Sequence, residues 1–254
     1  MISALIIAKN EEGNIGECLQ SLQGFADETV VIVDSSSTDG TKLVAEEKGA
    51  RVFVKDWEGF SLTKTWGLAR TNGDKILWID ADERMTPELA NEIKSAIQRG
   101  PEFSALAFPR KAFFLGRWIR HCGWYPGYVT RFFIKGRARF DDKQVHEGLI
   151  VEGAIKKLKG PLLHYTDPDL AHYMSKFNQY TQLAAEQMHA AGRRFRISDA
   201  SIKPFAFFAK MYIIKLGFLD GWEGFILCVL SAYYVLIKYL KLWELGLGES
   251  TEEN

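Results

Sequence analysis

Through the first 110 residues, short apolar runs alternate with segments whose apolar positions recur at helical spacing. The runs predict strands over residues 2–8, 29–33, 51–54, 76–79 and 105–108. The intervening segments predict helices over residues 14–22, 41–48, 62–69 and 87–98, with Ile15, Leu19 and Leu22 on one face of the first. Thr86-Pro87 supplies an N-cap and a first-turn proline for the last of these. Strands that are apolar throughout are buried on both faces, so the pattern predicts an α/β chain with a mostly parallel sheet flanked by helices. In such sheets ligands sit beyond the carboxyl ends of the strands.

Three polar clusters fall at that edge. Lys9-Asn10-Glu11-Glu12 follows the first strand, Asp34-Ser35-Ser36-Ser37-Thr38-Asp39-Gly40-Thr41 the second, and Asp80-Ala81-Asp82-Glu83 the fourth. In an extended segment Asp80 and Asp82 point the same way, with Ala81 turned aside. Carboxylates that close repel unless a cation compensates, and their hard oxygens suit Mg2+ or Mn2+. A solvated turn before a capped helix explains the triplet alone, and a turn with an N-cap explains Ser35 to Asp39 alone; all three clusters on one rim point to a ligand. Neither a Gly-x-Gly-x-x-Gly after the first strand nor a Gly-Lys-Ser/Thr occurs, which excludes the dinucleotide fingerprint and the P-loop.

Composition narrows the classes further. The 254 residues fit one substantial domain with an appendage, and 32 basic against 32 acidic side chains argue against a nucleic-acid binder that relies on bulk electrostatics. Cys18, Cys122 and Cys228 have no metal-ligand spacing and make no disulfide framework, which fits a reducing compartment. The apolar stretch at residues 1–8 has no basic leader and is too short for a secretory signal, so a cytoplasmic location is expected.

Taken together, Ile6-Ile7-Ala8-Lys9-Asn10-Glu11-Glu12, Val31-Ile32-Val33-Asp34-Ser35-Ser36-Ser37-Thr38-Asp39-Gly40-Thr41 and Trp78-Ile79-Asp80-Ala81-Asp82-Glu83 resemble the inverting glycosyltransferases of family 2, whose GT-A fold binds nucleotide sugars. The resemblance runs over about residues 1–170, and the remainder is similar to the bacterial lipopolysaccharide core β-1,4-glucosyltransferases that modify inner-core heptose. It implies a UDP-sugar donor lying against Ala8, Asn10 and Glu11, with Asp34 receiving the uracil N–H. Asp80 and Asp82 would hold ribose and a divalent cation, Mg2+ or Mn2+, with Asp82 the direct ligand and His164 completing the shell. Lys64 falls where the family often has a basic residue followed by Asn, although Thr65 follows it here. Glu147 would be the general base, in a slot more often filled by Asp, preceded by His146 where an acid is common. A glycine-containing loop, Gly123-Trp124-Tyr125-Pro126-Gly127, would serve the acceptor.

Other residues carry weaker signals. Arg131, ahead of an apolar strand, suits a donor phosphate or an anionic acceptor, and a strand-edge arginine explains it as well. Trp118, Trp124 and Tyr125 suit stacking on sugar rings, though aromatic residues more often pack a core. His121, His172 and His189 stand alone and have no such setting.

The expected organisation is a glycosyltransferase domain over residues 1–192, with a donor half to about 110 and an acceptor half after it. An amphipathic helical region would follow at 193–243, and a flexible tail at 244–254. Between residues 193 and 241 eight basic side chains face three acidic ones, amid aromatic and apolar bulk. Helices lying in the interface of an anionic membrane fit this pattern, and the uncharged run over residues 224–237 is shorter than the roughly 20 residues a spanning helix needs. Pairing of these helices in a homo-oligomer, or a helical cap on the catalytic domain, are the other uses open to them. A lipid-linked saccharide acceptor would explain a peripheral place on the inner face of the cytoplasmic membrane. A polyprenyl-phosphate acceptor, or a catalytically inactive nucleotide-sugar binding module, are the alternatives to it.

Overall fold

The structure is a computed structural model that describes residues 1–100, 102–141 and 148–252. Its first half alternates β1 (Ile2–Ala8), α1 (Glu12–Ser21), β2 (Glu28–Asp34), α2 (Thr41–Glu47), β3 (Arg51–Lys55), α3 (Phe60–Leu68), β4 (Lys75–Trp78), β5 (Glu83–Met85) and α4 (Pro87–Gln98). Seven strands follow: β6 (Ala105–Phe114), β7 (Arg117–Trp118), β8 (Gly127–Ile134), β9 (Ala138–Phe140), β10 (Leu149–Val151), β11 (Ile155–Lys157) and β12 (Leu162–Asp167). Three helices end the chain: α5 (Leu170–Ala190), α6 (Ile197–Ala209) and α7 (Gly221–Glu252). The chain divides into two compact units, Met1–Lys111 with Gly127–His164, and Ala112–Pro126 with Tyr165–Asn254.

In the first unit β3, β2, β1 and β4 lie side by side and parallel, and antiparallel β8 and β6 extend them. The pleat sends Ala4, Ile6 and Ala8 to one face, with Ile15 and Leu19 of α1 and Leu89 and Ile93 of α4. Leu5 goes to the other face with Val30, Ile32 and Ile76, against Trp66 and Leu68. Both faces are thus covered, the burial that apolar strands without alternation require. Thr86 caps α4 as its sequence predicts, its Oγ1 accepting the Leu89 N–H at 3.2 Å. Antiparallel β12 pairs with β5 and sets His164 opposite Glu83.

In the second unit α7 packs on α5 and α6. Phe177 stacks on Tyr233 with centroids 5.4 Å apart, and the Lys241 ammonium donates to the Asn178 carbonyl and the Thr181 hydroxyl at 3.0 Å. Two expectations change here. Helix α7 runs 32 residues and continues through the stretch expected to be a flexible tail, because Leu242 and Leu245 keep its packing face going beyond residue 241. The stretch Gly217–Leu247, at a mean hydropathy of 1.7, is long and apolar enough to cross a membrane by length and composition, whereas the uncharged run alone is too short. Lys238 ends that run and Lys241 follows it, yet the helix continues past both.

Candidate active site

The rim of the first unit is assembled by strand register. Ala8 of β1 stands beside Val33 of β2, and Leu5 beside Trp78 of β4, so the segments beginning at Lys9, Ser35 and Ile79 leave the sheet next to one another. The first two loops are stitched together by hydrogen bonds. Asn10, in the left-handed region at φ 54°, donates its N–H to Ser37 Oγ and accepts the Thr38 N–H on its side-chain oxygen, both at 2.8 Å. The Glu11 N–H donates to Thr41 Oγ1 at 2.7 Å, and Glu12 Oε2 accepts the Gly40 N–H at 2.9 Å. A Cβ on Gly40 would fall 2.7 Å from a Glu12 carboxylate oxygen, so a larger residue here would push the Glu12 side chain aside. The polar residues of both loops therefore build the rim itself, and the Ala8 side chain packs in the core beneath it.

Asp34 ends β2 with its side chain only 1% exposed. Its Oδ1 accepts from the Ser36 N–H and hydroxyl at 2.8 and 2.7 Å. Oδ2 is buried without a hydrogen-bond partner, and the Lys9 ammonium stands 3.4 Å away as a charge partner. Burial alone would raise this carboxyl, but the Ser36 donors and Lys9 outweigh it and hold it below the usual range. Apart from the exposed Lys9, no donor among the described residues meets this buried oxygen at the carboxyl edge of the sheet.

The acidic triplet is a turn, contrary to the extended segment expected. The Glu83 N–H donates to the Asp80 carbonyl at 3.0 Å, and Glu83 Oε2 accepts the Asp80 N–H at 3.0 Å. Ala81 does turn aside, into the core. The two aspartates have different basic partners: Asp80 ion-pairs with Arg131 of β8, and Asp82 Oδ2 lies 3.2 Å from His164 Nε2. Arg131 also reaches the fully buried Glu83 at 3.2 Å. Burial pushes the Glu83 carboxyl up against the pull of Arg131; burial would lower Arg131, but Asp80 and Glu83 raise it. A cation is thus supplied from within the chain for Asp80, and Arg131 is a charge-compensating residue of the site.

Trp78, the last residue of β4, joins a further cation to this cluster. The Arg131 guanidinium lies 4.0 Å from its ring centroid and the buried Lys64 ammonium 3.9 Å, which places Lys64 of α3 and Arg131 on one indole. Lys9 and Glu83 stand in the polar clusters and Trp78 in the family-like segment that the sequence marks, but the partners they take here, Asp34, Arg131 and Lys64, are not legible from it. Glu83 directly follows the triplet, and the change from turn to strand at that residue aims it inward.

The remaining expected residues lie elsewhere. Trp124 and Tyr125 belong to the second unit, where Trp124 packs edge-on to Phe114 with centroids 6.4 Å apart and Tyr125 edge-on to Trp118 at 5.4 Å. His146 and Glu147 lie outside the described residues. Among the described residues no group of three His, Cys, Asp or Glu side chains is arranged as a closed metal site. Asp82 Oδ2 and His164 Nε2 nevertheless lie side by side, while the ring's other nitrogen, Nδ1, is buried without a hydrogen-bond partner on the side away from Asp82. The Asp82 carboxylate suits Mg2+ or Mn2+, ions usually held by one or two carboxylates with substrate phosphates and water.

A parallel sheet whose carboxyl edge gathers acids from three strands, extended by antiparallel strands that add Arg131 and His164, defines a GT-A glycosyltransferase fold. The chain belongs to glycosyl transferase family 2, whose family model matches residues 3–149. It is 29% identical to the lipopolysaccharide core biosynthesis glycosyltransferase LpsC of Rhizobium meliloti (strain 1021), covering 96% of this chain and 92% of that protein. It is 30% identical to an uncharacterized glycosyltransferase of Rickettsia bellii (strain RML369-C), over 97% of this chain and 87% of that one. Among solved structures it is similar to the mannosyltransferase PcManGT of Pyrobaculum calidifontis, in complex with GDP-Man and Mn2+, with a TM-score of 0.54 at 13% identity over 95% of this chain and 86% of that one. Glucosyl-3-phosphoglycerate synthase of Mycobacterium tuberculosis, with Mn2+, UDP and phosphoglyceric acid, gives 0.50 at 20% identity over 76% and 79% of the two chains.

Proposed function

We propose that this chain is a metal-dependent, inverting hexosyltransferase that moves glucose from UDP-glucose to a hydroxyl of a lipid-linked saccharide, an inner-core heptose of lipopolysaccharide. It would work as a peripheral protein on the cytoplasmic face of an anionic membrane. The observation that carries the donor side is Asp34: a sealed carboxylate with one oxygen lacking a hydrogen-bond partner, on a rim already stitched together, suits the uracil N–H. The acceptor class is supported by the likeness to LpsC along nearly the whole chain. The surface placement is supported by exposed Phe205, Ile213, Ile214 and Trp222 in the C-terminal segment.

The chemistry needs few parts. An acceptor hydroxyl attacks C1 of the sugar, the bond from C1 to the diphosphate oxygen breaks on the opposite face, and the hydroxyl proton passes to Glu147. General-base assistance of this kind is typically worth about a hundredfold to ten-thousandfold. Asp82 and His164 would hold the divalent ion; when bound, it supplies Lewis-acid stabilisation of the charge gathering on the departing diphosphate. Arg131 neutralises Asp80 and Glu83 at the edge where Lys64 lies on Trp78, so the anionic leaving group meets less repulsion there. Alignment of the two substrates provides much of the remaining acceleration.

The test is a panel of nucleotide sugars assayed for transfer to heptose-containing lipid and to polyprenyl phosphate, with and without Mg2+ or Mn2+. UDP-glucose with the heptose lipid is expected to be the productive pair. Asp82→Ala should lose the metal-dependent part of the rate, and Glu147→Gln should keep donor binding and lose turnover. Full turnover by Glu147→Gln would remove the base from the scheme, and transfer to polyprenyl phosphate alone would move the enzyme to a different acceptor class.

A further inference from the structure

The second unit has an open cavity of about 520 Å³ between α5, α6, α7 and the turn at Cys122 and Gly123. Its walls are aromatic and aliphatic, including Tyr173, Phe207 and Met211, while three ammonium groups, Lys210, Lys215 and Lys238, border it. No aspartate or glutamate lines it, and among the described residues none of the three lysines pairs with a carboxylate. Lys238 lies over the Tyr234 and Tyr239 rings at 5.8 and 5.4 Å, and three positive charges without a carboxylate partner at one cavity, in a chain of zero net charge, are a local concentration that an anion would offset.

The backbone around the cavity is irregular in a way that gathers these charges. The Lys215 N–H donates to the Lys210 carbonyl at 2.8 Å, an i to i+5 bond within the π-helical turn Lys210–Ile214. In an α-helix residues five apart point about 140° away from each other; the π turn brings both lysines to the same cavity. Leu216 and Cys122 adopt φ of 55° and 58°, and the Cys122 N–H donates to the Lys215 carbonyl at 3.0 Å. Buried Asp220 fixes the same junction by accepting the Arg120 and His121 N–H groups at 3.1 and 2.7 Å. Two non-glycine residues in the left-handed region and a π turn bordering one cavity mark a place where the fold tolerates local strain. From the far side Ser231, Tyr234 and Lys238 project on one face of α7.

We propose that this cavity is a headgroup site for a phosphate-bearing membrane lipid, with Lys210, Lys215 and Lys238 around the phosphate and the aliphatic part of the lipid against Phe207 and Met211. A lipid is favoured over a soluble phosphate by the apolar skirt beside the lysines: Ile213, Ile214, Phe218, Leu219 and Trp222 are 46–72% exposed. Their side chains are where the hydrocarbon boundary would lie if the headgroup entered the cavity. The site rests on the membrane-surface placement proposed above and makes it specific: a saturable pocket in place of a diffuse basic face.

The test uses the full-length protein and phosphatidylcholine vesicles with or without phosphatidylglycerol. A variant carrying Lys210→Gln, Lys215→Gln and Lys238→Gln is compared with a control of equal charge change, Lys156→Gln, Lys157→Gln and Lys159→Gln. The cavity variant should lose about tenfold or more in affinity for the anionic vesicles, and the control about twofold or less. Ser231→Trp, which fills the cavity and keeps every charge, should lose binding as the cavity variant does while its far-UV circular dichroism is unchanged. Equal losses in the cavity and control variants would show diffuse attraction and overturn the site. Soluble glycerol phosphate binding with the same lysine dependence, with no gain from vesicles, would overturn the lipid. If Ser231→Trp does not fold, the lysine comparison decides alone. Vesicle binding needs no donor sugar, so failure of the glycosyl-transfer assay and failure of this site are separate outcomes.

Discussion

Arg131 Nη2 lies 3.2 Å from Glu83 Oε1, with the two side chains only 7% and 0% exposed, so an ion pair between β8 and β5 is sealed beneath the candidate donor edge. Removing Arg131 strands Glu83 in the interior, at a cost of about 3–5 kcal/mol, whereas removing Glu83 leaves Arg131 still paired with Asp80. Arg131→Met is expected to lower the denaturation midpoint steeply and Glu83→Gln less so, and the double variant should lose less than the sum of the two. Additive losses in a double-mutant cycle would show that the pair is not coupled.

Asp82 and His164 are the pair through which a divalent ion would be held. Asp82→Ala or His164→Ala should abolish the stimulation of transfer by Mn2+ while leaving metal-free UDP binding, measured calorimetrically in chelator, within about twofold. A variant that keeps its metal response would place the ion elsewhere.

Asp34 presents a buried acceptor to the edge of the sheet. Asp34→Asn puts a donor where a donor of the base would arrive, and a charge-assisted hydrogen bond is worth about 1.5–3 kcal/mol. UDP affinity should therefore fall roughly ten- to hundredfold, with the melting temperature little changed. Equal loss of affinity for nucleotides lacking a base N–H would argue that Asp34 acts only through the loop.

Glu28 offers a pH test away from the site. Burial would raise its carboxyl, but the Ser3 hydroxyl, the Asn72 N–H, Arg51 and the Asn72 amide together hold it at about 2, against an ordinary 4.5. A folded-state value depressed this far contributes on the order of 3 kcal/mol above the unfolded value. That contribution is present above about pH 4.5 and is lost as pH falls through about 2. Glu28→Gln should be less stable than the parent at pH 7, and the gap should close in acid; a gap constant from pH 7 to pH 2 would contradict the assignment.

Gly224 of α7 and Gly217 approach so closely that a Cβ on Gly224 would fall 2.3 Å from the Gly217 carbonyl oxygen. Gly224→Ala should destabilise the helical unit by about 1–3 kcal/mol through overpacking. Urea unfolding followed by tryptophan fluorescence would register it, and an unchanged midpoint would mean the junction can relax.

Local pattern carries the parallel part of the fold. Predicted strands and helices coincide with β1 through β4 and with α4 to within two residues at each end, because each is bounded by its own turn, cap or apolar period, whereas the short β5 has no such signal and is not predicted. The polar loops at the sheet edge were equally legible, since strand order alone brings the segments after β1, β2 and β4 together. What sequence could not give was pairing across distance. Arg131 and Asp80 meet because β8 is antiparallel to β4, and their bond spans 51 positions of chain. Spacing alone suggested that Asp80 and Asp82 share a direction; the bond from the Glu83 N–H to the Asp80 carbonyl turns the backbone between them. In α7 the uncharged run is only part of a longer apolar helix, since Lys241 beyond it binds Asn178 and Thr181 of α5.

The reciprocal bonds between the β1–α1 and β2–α2 loops have a thermodynamic consequence for any nucleotide that arrives. Because Asn10, Glu11 and Glu12 already lean on Ser37, Thr38, Gly40 and Thr41, the freedom of these segments is surrendered when the chain folds and not when it meets its ligand. Loosening a single tie would return that freedom to the empty protein and weaken capture.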